Sequence, residues 1–331
     1  MTQLNILITG ASGFLGQHLV HSLVTSPPPK DYKYHVICLY NSMEGLSKTV
    51  AELTCADNVS VAAHQLDLTD AMSVETWLQQ NPVDLCIHTA ALSVPRLCEL
   101  DPERARQINV PVAFFNALAI THARIIALST DQVYDGDPNI APYDESSPAE
   151  PVNVYGKTKL DMEQYILSQF PPNRAVILRS SIILGPKAPL LPEQAHSTFL
   201  HFIQGRKEQD TTFFTDECRS VISVADVVNV LQWFIDPDQH NVETTNHQTP
   251  IYNLGGPDRV SRYDMAVAVF DHLGYDKKHI QADRKASQPR QPNEVTSPLD
   301  ISMNSSKLVR AMAITKFQSL MEVVQFVFPK T

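Results

Sequence analysis

The sequence lacks long apolar runs and basic clusters. No stretch reaches the roughly 18 consecutive apolar residues that a membrane-spanning helix requires. The formal net charge is -10 at pH 7, and no block of lysine or arginine offsets it, so the summed field repels nucleic acids and anionic lipids. We therefore expect neither nucleic acid nor membrane among the partners of this protein.

Cysteine is also scarce. The chain has five cysteines, an odd number, and they lie far apart without a C-x-x-C pair, which argues against a disulfide framework and against a zinc site. Residues Met1–Asn5 lead directly into an apolar run, without the basic and apolar regions of a secretory signal. These absences predict a cytoplasmic protein with reduced thiols and no metal.

The first half of the chain alternates short apolar runs with helical segments. This spacing is that of βαβ units, which build parallel sheets covered by helices on both faces. The pattern predicts an α/β fold of the Rossmann type, with a doubly wound parallel sheet. The predicted strands are residues 4–9, 35–40, 59–64, 83–89, 124–129 and 175–180, and the predicted helices are residues 14–25, 43–53, 70–80, 101–122 and 153–169.

The order of the predicted strands and helices changes after Pro186, where they no longer repeat as βαβ units. We expect an NAD(P)-binding Rossmann domain over residues 1–185, to which the chain returns around 220–255. A smaller α/β substrate-binding lobe is expected over residues 186–331, interleaved with the first domain. The segment 279–300 is rich in Gln, Pro, Ser and Asp and is predicted to be irregular. The elements predicted in this half are helices at 197–205, 224–235 and 262–273 and strands at 212–215 and 251–254.

A glycine-rich turn follows the first strand. Gly10, Gly13 and Gly16 have the spacing G-x-x-G-x-x-G and lie between a strand and a helix, which is the order that a pyrophosphate site needs. Gly10 suits the tight turn, Gly13 allows the backbone to approach phosphates, and Gly16 allows close packing of helix on strand. We therefore predict that this loop binds a dinucleotide. The other loop residues assigned to the cofactor are Ser12, Phe14 and Leu15.

The end of the second strand bears on the choice of cofactor. An acidic residue there binds the ribose 2'-hydroxyl of NAD and repels the 2'-phosphate of NADP. The strand ends instead at Tyr40, Asn41 and Ser42, with no carboxylate and no arginine. This favours NADP(H) as the cofactor, with NAD(H) as the alternative.

Four further strand ends are assigned to the cofactor. Asp67 and Leu68 resemble the D-[LV] pair with which short-chain dehydrogenases hold adenine. The small residues of H-x-A-A, which run from His88 to Ala91, resemble the segment on which the cofactor lies in extended members of that superfamily. The remaining residues assigned to the cofactor are Ala90, Ala91, Leu92, Ser129, Ser180 and Ile182.

Tyr155 and Lys159 are four residues apart on a predicted helix and therefore share one face. A nearby ammonium stabilises a phenolate, so we expect Lys159 to lower the pKa of Tyr155 and make it a general acid. Thr130 supplies a hydroxyl that orients a substrate carbonyl, and Lys159 also holds the nicotinamide ribose. Y-x-x-x-K alone also occurs on solvated helix faces, but the glycine loop upstream favours catalysis.

Longer motifs surround these residues. They are S-T-D-x-V-[FY]-D-G over Ser129–Gly136, P-Y-x-E over Pro142–Glu145 and P-x-x-x-Y-G-K-[ST]-K-L-x-x-E from Pro151 to Glu163. In these motifs the chain resembles the dTDP-4-dehydrorhamnose reductases and, equally, the regulatory β subunits of methionine adenosyltransferase, both extended short-chain dehydrogenases/reductases. The resemblance implies NADP(H)-dependent reduction of a keto group on a nucleotide-linked 6-deoxy sugar, with Tyr155 as proton donor.

The resemblance also implies where the substrate binds. Ser93, Asp131 and Val133 line the sugar pocket, and Arg219 contacts the diphosphate. An alternative for Arg219 is a local salt bridge to Asp216 or Glu217.

Two other functions remain open. The first is a non-catalytic regulatory subunit that binds a dinucleotide structurally and docks on a methionine adenosyltransferase catalytic subunit. The second is an NAD-dependent sugar-nucleotide epimerase or dehydratase on the same scaffold. The expected partners are accordingly a nucleotide sugar, the methionine adenosyltransferase catalytic subunit in the regulatory case, and a second copy of the chain in a homodimer.

Overall fold

A computed structural model describes residues 1–42, 45–191, 196–236, 250–288 and 294–330. Its strands are β1 (Thr2–Thr9), β2 (Tyr32–Tyr40), β3 (Val59–Gln65), β4 (Leu85–His88), β5 (Arg124–Thr130), β6 (Ala175–Ser180), β7 (Ile183–Leu184), β8 (Thr211–Phe214), β9 (Cys218–Arg219), β10 (Ile222–Ser223), β11 (Ile251–Leu254), β12 (Val260–Ser261) and β13 (Ile280–Asp283). Its helices are α1 (Phe14–Thr25), α2 (Leu46–Ala51), α3 (Ala71–Gln80), α4 (Pro95–Leu100), α5 (Pro102–Asn109), α6 (Val112–Ala119), α7 (Val154–Gln169), α8 (Phe199–Gln204), α9 (Val224–Ile235), α10 (Arg262–Leu273), α11 (Ser306–Ala311) and α12 (Leu320–Val327).

A seven-stranded parallel sheet forms the centre of the molecule, in the order β3-β2-β1-β4-β5-β6-β11. The order reverses direction at β1, as in a doubly wound sheet, so the predicted fold class is confirmed. The edge strand β11 comes from the second half of the chain and pairs with β6, Leu254 lying opposite Ser180. The carboxyl ends of the strands therefore gather residues from both halves.

The two faces of the sheet bury separate hydrophobic clusters. Along β1, Ile6 and Ile8 pack into one cluster with α1 and α9, whereas Leu7 packs into the other with α3, α6 and α7. This division follows from the two-residue period of a strand, which sends successive side chains to opposite faces. A third cluster joins α8, α10 and α12 in the second half of the chain. None of the described helices has the length and apolar character needed to cross a membrane.

Two of the predicted elements differ from the structure. The predicted helix 101–122 is divided into α5 and α6 at Pro111, because proline lacks the N–H that a continuous helix needs and disfavours the helical conformation in the residue before it. The segment 279–300 was expected to be irregular, but residues Ile280–Asp283 form β13, which pairs in parallel with β8. Residues 43–44 of the predicted helix 43–53 and residues 289–293 lie outside the described residues.

Candidate active site

A cavity of about 750 Å³ lies at the carboxyl ends of the central strands. All residues predicted to bind cofactor or to act in catalysis line it, although they come from all parts of residues 10–182. The predicted residues in its wall are Gly10, Ser12, Gly13, Phe14, Leu15, Gly16, Tyr40, Asn41, Ser42, Asp67, Leu68, Ala90, Ala91, Leu92, Ser93, Ser129, Thr130, Asp131, Tyr155, Lys159, Ser180 and Ile182.

The glycine loop is packed too tightly for side chains. A Cβ atom on Gly16 would lie 2.3 Å from the Gly10 carbonyl oxygen, and one on Gly10 would lie 2.8 Å from the Ala90 backbone. Gly10 also has a positive φ of 69°, which glycine adopts without strain. No side chain caps α1 at Gly13 within the described part of the chain, and the first residues of the helix, Phe14, Leu15 and Gly16, line the cavity, so their N–H groups are available as donors for an anion.

Gln17 holds this loop in place and was not identified from the sequence. Its side chain is fully buried, and its Nε2 donates to the Ser12 carbonyl at 2.7 Å. Its Oε1 accepts from the backbone N–H groups of Leu190 and Leu191, both at 3.0 Å. The glycine loop is therefore tied to a segment more than 170 residues later, which no local pattern reveals.

The part of the cavity at the end of β2 receives no acidic side chain from that strand. Asn41 and Ser42 line it, and the Gln65 amide donates to the Asn41 carbonyl at 2.7 Å. The Asp67 carboxylate also lies in the wall, where it accepts from the N–H and the hydroxyl of Thr69 at 2.9 and 2.7 Å. Asn41 and Ser42 therefore contribute neutral polar groups to the cavity wall, and Asp67 contributes a carboxylate.

The helix α7 brings Tyr155 and Lys159 to the cavity. Tyr155 and Lys159 both line its wall, and burial raises the pKa of Tyr155 above its ordinary value. The sequence predicted that Lys159 lowers the pKa of Tyr155, but the lowering influence comes from the Thr130 side chain, and burial outweighs it. Burial lowers the pKa of Lys159 to about 8, against an opposing effect of Glu163. The phenol is thus protonated and ready to donate.

Asn109 joins the end of β4 to α7. Its Oδ1 accepts from the Leu92 N–H at 2.7 Å, and its Nδ2 donates to the Thr158 hydroxyl at 2.9 Å. The side chain is fully buried. Asn109 therefore fixes the backbone of the cavity wall at Leu92 relative to the helix that carries Tyr155.

A buried ion pair joins α7 to β6. The Arg179 guanidinium donates to both oxygens of Glu163, the shortest contact being 2.7 Å, and the Ser129 hydroxyl donates to the same carboxylate at 2.5 Å. Arg179 also donates to the Tyr134 hydroxyl at 3.1 Å, and Tyr134 in turn donates to Asn253 at 2.8 Å. This network connects β5, β6, α7 and β11. The sequence pointed to Glu163 through its motif but not to these partners.

Asp131 lies in the cavity wall beside Thr130. Its two carboxylate oxygens accept from the hydroxyls of Thr130, at 3.1 Å, and Ser181, at 2.9 Å. The side chain is 3% exposed, and burial raises the pKa of Asp131, while Arg219 and Arg262 partly oppose the shift.

Two of the residues assigned to the substrate occupy other places. Val133 is fully buried in a hydrophobic cluster with Tyr134 and Tyr143, because it faces away from the cavity. The Arg219 guanidinium is buried and donates to backbone carbonyls of Cys218, Leu299 and Pro298 at 2.7 to 3.0 Å. Among the described residues it forms neither the predicted ion pair with Asp216 or Glu217 nor part of the cavity wall.

The sequence also missed one segment of the cavity wall. Residues 196–199, just before and at the start of α8, line the cavity. The Arg262 guanidinium lies 4.6 Å above the Phe199 ring and 3.8 Å from the Glu217 carboxylate. The basic group of Arg262 therefore packs against Phe199, an aromatic side chain of the cavity wall.

Comparison with known proteins supports the same architecture. The family model of the RmlD substrate binding domain matches residues 4–327. Methionine adenosyltransferase 2 subunit beta of Xenopus laevis is 28% identical over 280 residues, which cover 83% of this chain and 74% of that protein. The dTDP-4-dehydrorhamnose reductase of Mycolicibacterium smegmatis is 25% identical over 271 residues, which cover 81% of this chain and 76% of that protein.

A solved structure extends the likeness over the whole chain. The crystal structure of dTDP-4-dehydrorhamnose reductase from Bacillus anthracis, in complex with NADP, matches with a TM-score of 0.72 at 19% sequence identity. The match covers 100% of this chain and 99% of that chain. At this identity the likeness establishes a shared fold.

Proposed function

The chain belongs to the RmlD substrate binding domain family, and from that membership we propose that it is an NADP(H)-dependent reductase of a keto group on a nucleotide-linked sugar. The observation that carries the proposal is the single cavity whose wall contains both the glycine loop and the group of Thr130, Tyr155 and Lys159. A dinucleotide-binding loop and a proton donor that face one space are the two parts that hydride transfer to a ketone requires.

The residues of the cavity fit an NADP(H) molecule. The uncapped N-terminus of α1 offers N–H donors to the pyrophosphate, and Asn41 and Ser42 offer neutral polar groups to the 2'-phosphate. The absence of a carboxylate at the end of β2 favours NADP(H) over NAD(H), and the related Bacillus anthracis enzyme was crystallised in complex with NADP. When bound, the cofactor supplies the hydride.

The protein supplies the proton and the orientation. The Tyr155 phenol, protonated because it is buried, donates its proton to the carbonyl oxygen as negative charge develops there. The Thr130 hydroxyl positions that oxygen, and Lys159 holds the cofactor ribose. Ser93, Asp131 and the segment 196–199 surround the remaining space, where the sugar binds.

The test is oxidation of NADPH by the purified protein in the presence of dTDP-4-dehydrorhamnose, followed by the absorbance of the reduced nicotinamide. Tyr155→Phe should reduce turnover by about 10²-fold or more, because general acid catalysis contributes on that scale. Tyr165→Phe is the matched control: Tyr165 lies on the same helix, and its hydroxyl donates to the exposed Asn116 amide at 2.6 Å. Equal turnover by the two variants would contradict the proposal.

A second proposal is that the chain regulates a methionine adenosyltransferase. It is favoured by the 28% identity to the beta subunit over 83% of this chain. The test is sedimentation of the protein together with a purified methionine adenosyltransferase catalytic subunit, with and without NADPH. Co-sedimentation without sugar reduction would favour regulation, and separate sedimentation would count against it.

The epimerase or dehydratase alternative is separated by the first assay. Such an enzyme returns its hydride to the substrate within one cycle and leaves the total amount of reduced cofactor unchanged. Stoichiometric consumption of NADPH with formation of the alcohol would therefore exclude it for that substrate.

A further inference from the structure

A second cavity, of about 530 Å³, lies at the carboxyl end of the edge strand β11. Gly255 and Gly256, which directly follow β11, form one part of its wall, and residues 302–306, 309–310 and 315–317 form most of the rest. No described residue lines both this second cavity and the active-site cavity. A cavity of this size admits a small molecule, so it is a separate candidate site.

The charged side chains in the wall of the second cavity are all basic. In the ranges that the structure describes, they are Arg259, Arg310 and Lys316, and no Asp or Glu lines the cavity. Arg310 belongs to α11, whereas Arg259 precedes β12 and Lys316 lies between α11 and α12. Because the whole chain has a net charge of -10, three basic groups around one cavity run against its composition. The wall therefore favours an anion.

These basic groups keep hydrogen-bond donors for a ligand. Arg259 Nε donates to Asp300 at 2.6 Å, and Lys316 Nζ donates to Glu322 at 3.1 Å. A guanidinium and an ammonium each carry several N–H donors, so these contacts leave others unused. The Arg310 guanidinium forms no ion pair or hydrogen bond with any residue that the structure describes. Donors from three segments are thus available at the second cavity.

Ser302 adds a buried hydroxyl to the wall. Ser302 lines the second cavity and is 1% exposed, and its Oγ has no hydrogen-bond partner in the described part of the protein. Leaving a buried hydroxyl unbonded costs free energy, and such groups are rare in native proteins. An acceptor oxygen of a bound ligand would satisfy it.

The rest of the wall is largely apolar and is fixed in place. Met303, Val309 and Phe317 line the second cavity. Phe317 belongs to the core cluster that contains β1, and Val309 packs against that cluster. The Met303 N–H donates to the Ser220 hydroxyl at 3.0 Å. An apolar wall with a few polar groups at fixed positions is typical of sites for small organic molecules.

We propose that the second cavity binds a small organic phosphate, whose apolar ring packs against Phe317 and whose phosphate is bound by Arg259, Arg310 and Lys316. A phosphate monoester carries a charge of about -1.5 to -2 at neutral pH and has several acceptor oxygens. It therefore matches three basic groups and a hydroxyl better than a singly charged carboxylate does. The proposal is independent of the reductase function, because the described residues of the two cavities are different.

The test is calorimetric titration of the full chain with phenyl phosphate, which combines an aromatic ring with a phosphate. Arg310→Gln should weaken binding about 10-fold or more, because it removes hydrogen bonds to a charged group. Lys307→Gln is the matched control: it also removes a positive charge from α11, but Lys307 is outside the wall and donates to the Ile251 carbonyl at 2.8 Å. The control should change the affinity less than about 2-fold, since solvent and salt screen its charge.

Ser302→Ala separates a binding role from a structural one. It should weaken phenyl phosphate binding about 3- to 10-fold through loss of one hydrogen bond. Because the hydroxyl has no described partner in the free protein, the free energy of unfolding in urea should stay the same or increase. Lower stability with unchanged affinity would show that Ser302 has only a structural role and would count against the proposed site.

Two further ligands complete the test. Inorganic phosphate lacks the ring and should bind at least about 10-fold more weakly than phenyl phosphate, because it covers no apolar wall. Saturating NADPH should leave the affinity for phenyl phosphate unchanged, because the proposed NADPH site is the other cavity.

Several outcomes would overturn the second site. They are no binding of phenyl phosphate at millimolar concentrations, equal effects of Arg310→Gln and Lys307→Gln, equal affinity for inorganic phosphate, and displacement of phenyl phosphate by NADPH. None of these measurements involves reduction of a sugar. Failure of the second site would therefore leave the proposed reductase standing, and failure of the reductase assay would leave the second site standing.

Discussion

Three residues beneath the cavity are charged although they are buried. Lys159, Glu163 and Arg179 are 2%, 1% and 5% exposed. An unpaired charge at such a depth costs several kcal/mol, so each must have a partner or a shifted pKa. Glu163 and Arg179 satisfy each other through three hydrogen bonds, whereas Lys159 has a lowered pKa.

The first prediction concerns the buried ion pair. Glu163→Gln should destabilise the protein by about 3–5 kcal/mol, because it leaves the Arg179 guanidinium buried without a counter-charge. Asp161→Asn is the matched control on the same helix, where Asp161 pairs with the exposed Arg106 at 3.3 Å. That control should cost less than about 1 kcal/mol. Urea unfolding measures both, and equal losses would contradict the burial argument.

The second prediction concerns the pH dependence of stability. Below pH 8 the folded protein keeps Lys159 charged in a buried place, so Lys159→Met should stabilise the protein at neutral pH while abolishing reduction. As the pH rises above 8, the folded protein loses this proton before the unfolded chain does, since the ordinary lysine value is 10.5. The advantage of the variant should therefore shrink between pH 7 and pH 9.5, as followed by urea unfolding at both. A constant or growing advantage would show that the charge is not the cause.

At the scale of elements, the first turn of α7 determines where Tyr155 lies. Asn153 caps this helix, its Oδ1 accepting from the Gly156 N–H at 2.9 Å. Its Nδ2 donates to Gln132 and to the Thr296 carbonyl, at 2.8 and 3.0 Å. The cap therefore joins the helix to the turn after β5 and to the segment that follows β13.

The third prediction tests this cap. Asn153→Ala should cost about 1–2 kcal/mol of stability through loss of the cap and should also reduce turnover, because Tyr155 is two residues away. Asp70→Ala removes a comparable cap from α3, where Asp70 accepts from the Ser73 N–H at 3.2 Å. That variant should lose stability but keep its turnover in the NADPH assay. An equal loss of turnover in both variants would indicate a general effect of instability.

At the scale of the whole molecule, the two halves of the chain share one hydrophobic core. The cluster that contains Ile6 and Ile8 of β1 also contains residues that come after position 186. Those residues include Ile222, Val227, Val230, Leu231, Phe234 and Leu254. The division into a domain of residues 1–185 and a lobe of residues 186–331 thus remains a prediction, and the shared cluster argues against independent folding of the first part.

The fourth prediction follows from this shared core. Calorimetry of the full chain should show a single cooperative transition, with equal calorimetric and van't Hoff enthalpies. A chain that ends at residue 185 should show no such transition, because it lacks β11 and α9 and exposes the faces that they cover. Two separate transitions in the full chain would contradict this prediction.

Local patterns were enough to predict the sheet and much of the cavity wall. Hydrophobic periodicity and glycine spacing act over a few residues, so α1, α9, α10, β6 and β11 were predicted with the bounds that the structure shows. Parallel strands carry their polar ends to one edge, and this rule, together with the resemblance to short-chain dehydrogenases, allowed residues from Gly10 to Ile182 to be assigned to one site before their contacts were known.

Other features depend on which segments meet in space. Gln17 contacts residues 190 and 191, Arg179 pairs with Glu163, and Arg219 is enclosed by carbonyls of residues 218 and 298–299. No periodicity links these positions, and the direction of a side chain such as Val133 is decided by the packing around it. The shifted pKa values likewise follow from burial, which is a property of the folded molecule. The amino-acid order therefore determined the scaffold and its binding loop, and the tertiary structure decided the partners, the burial and the protonation of the groups that act there.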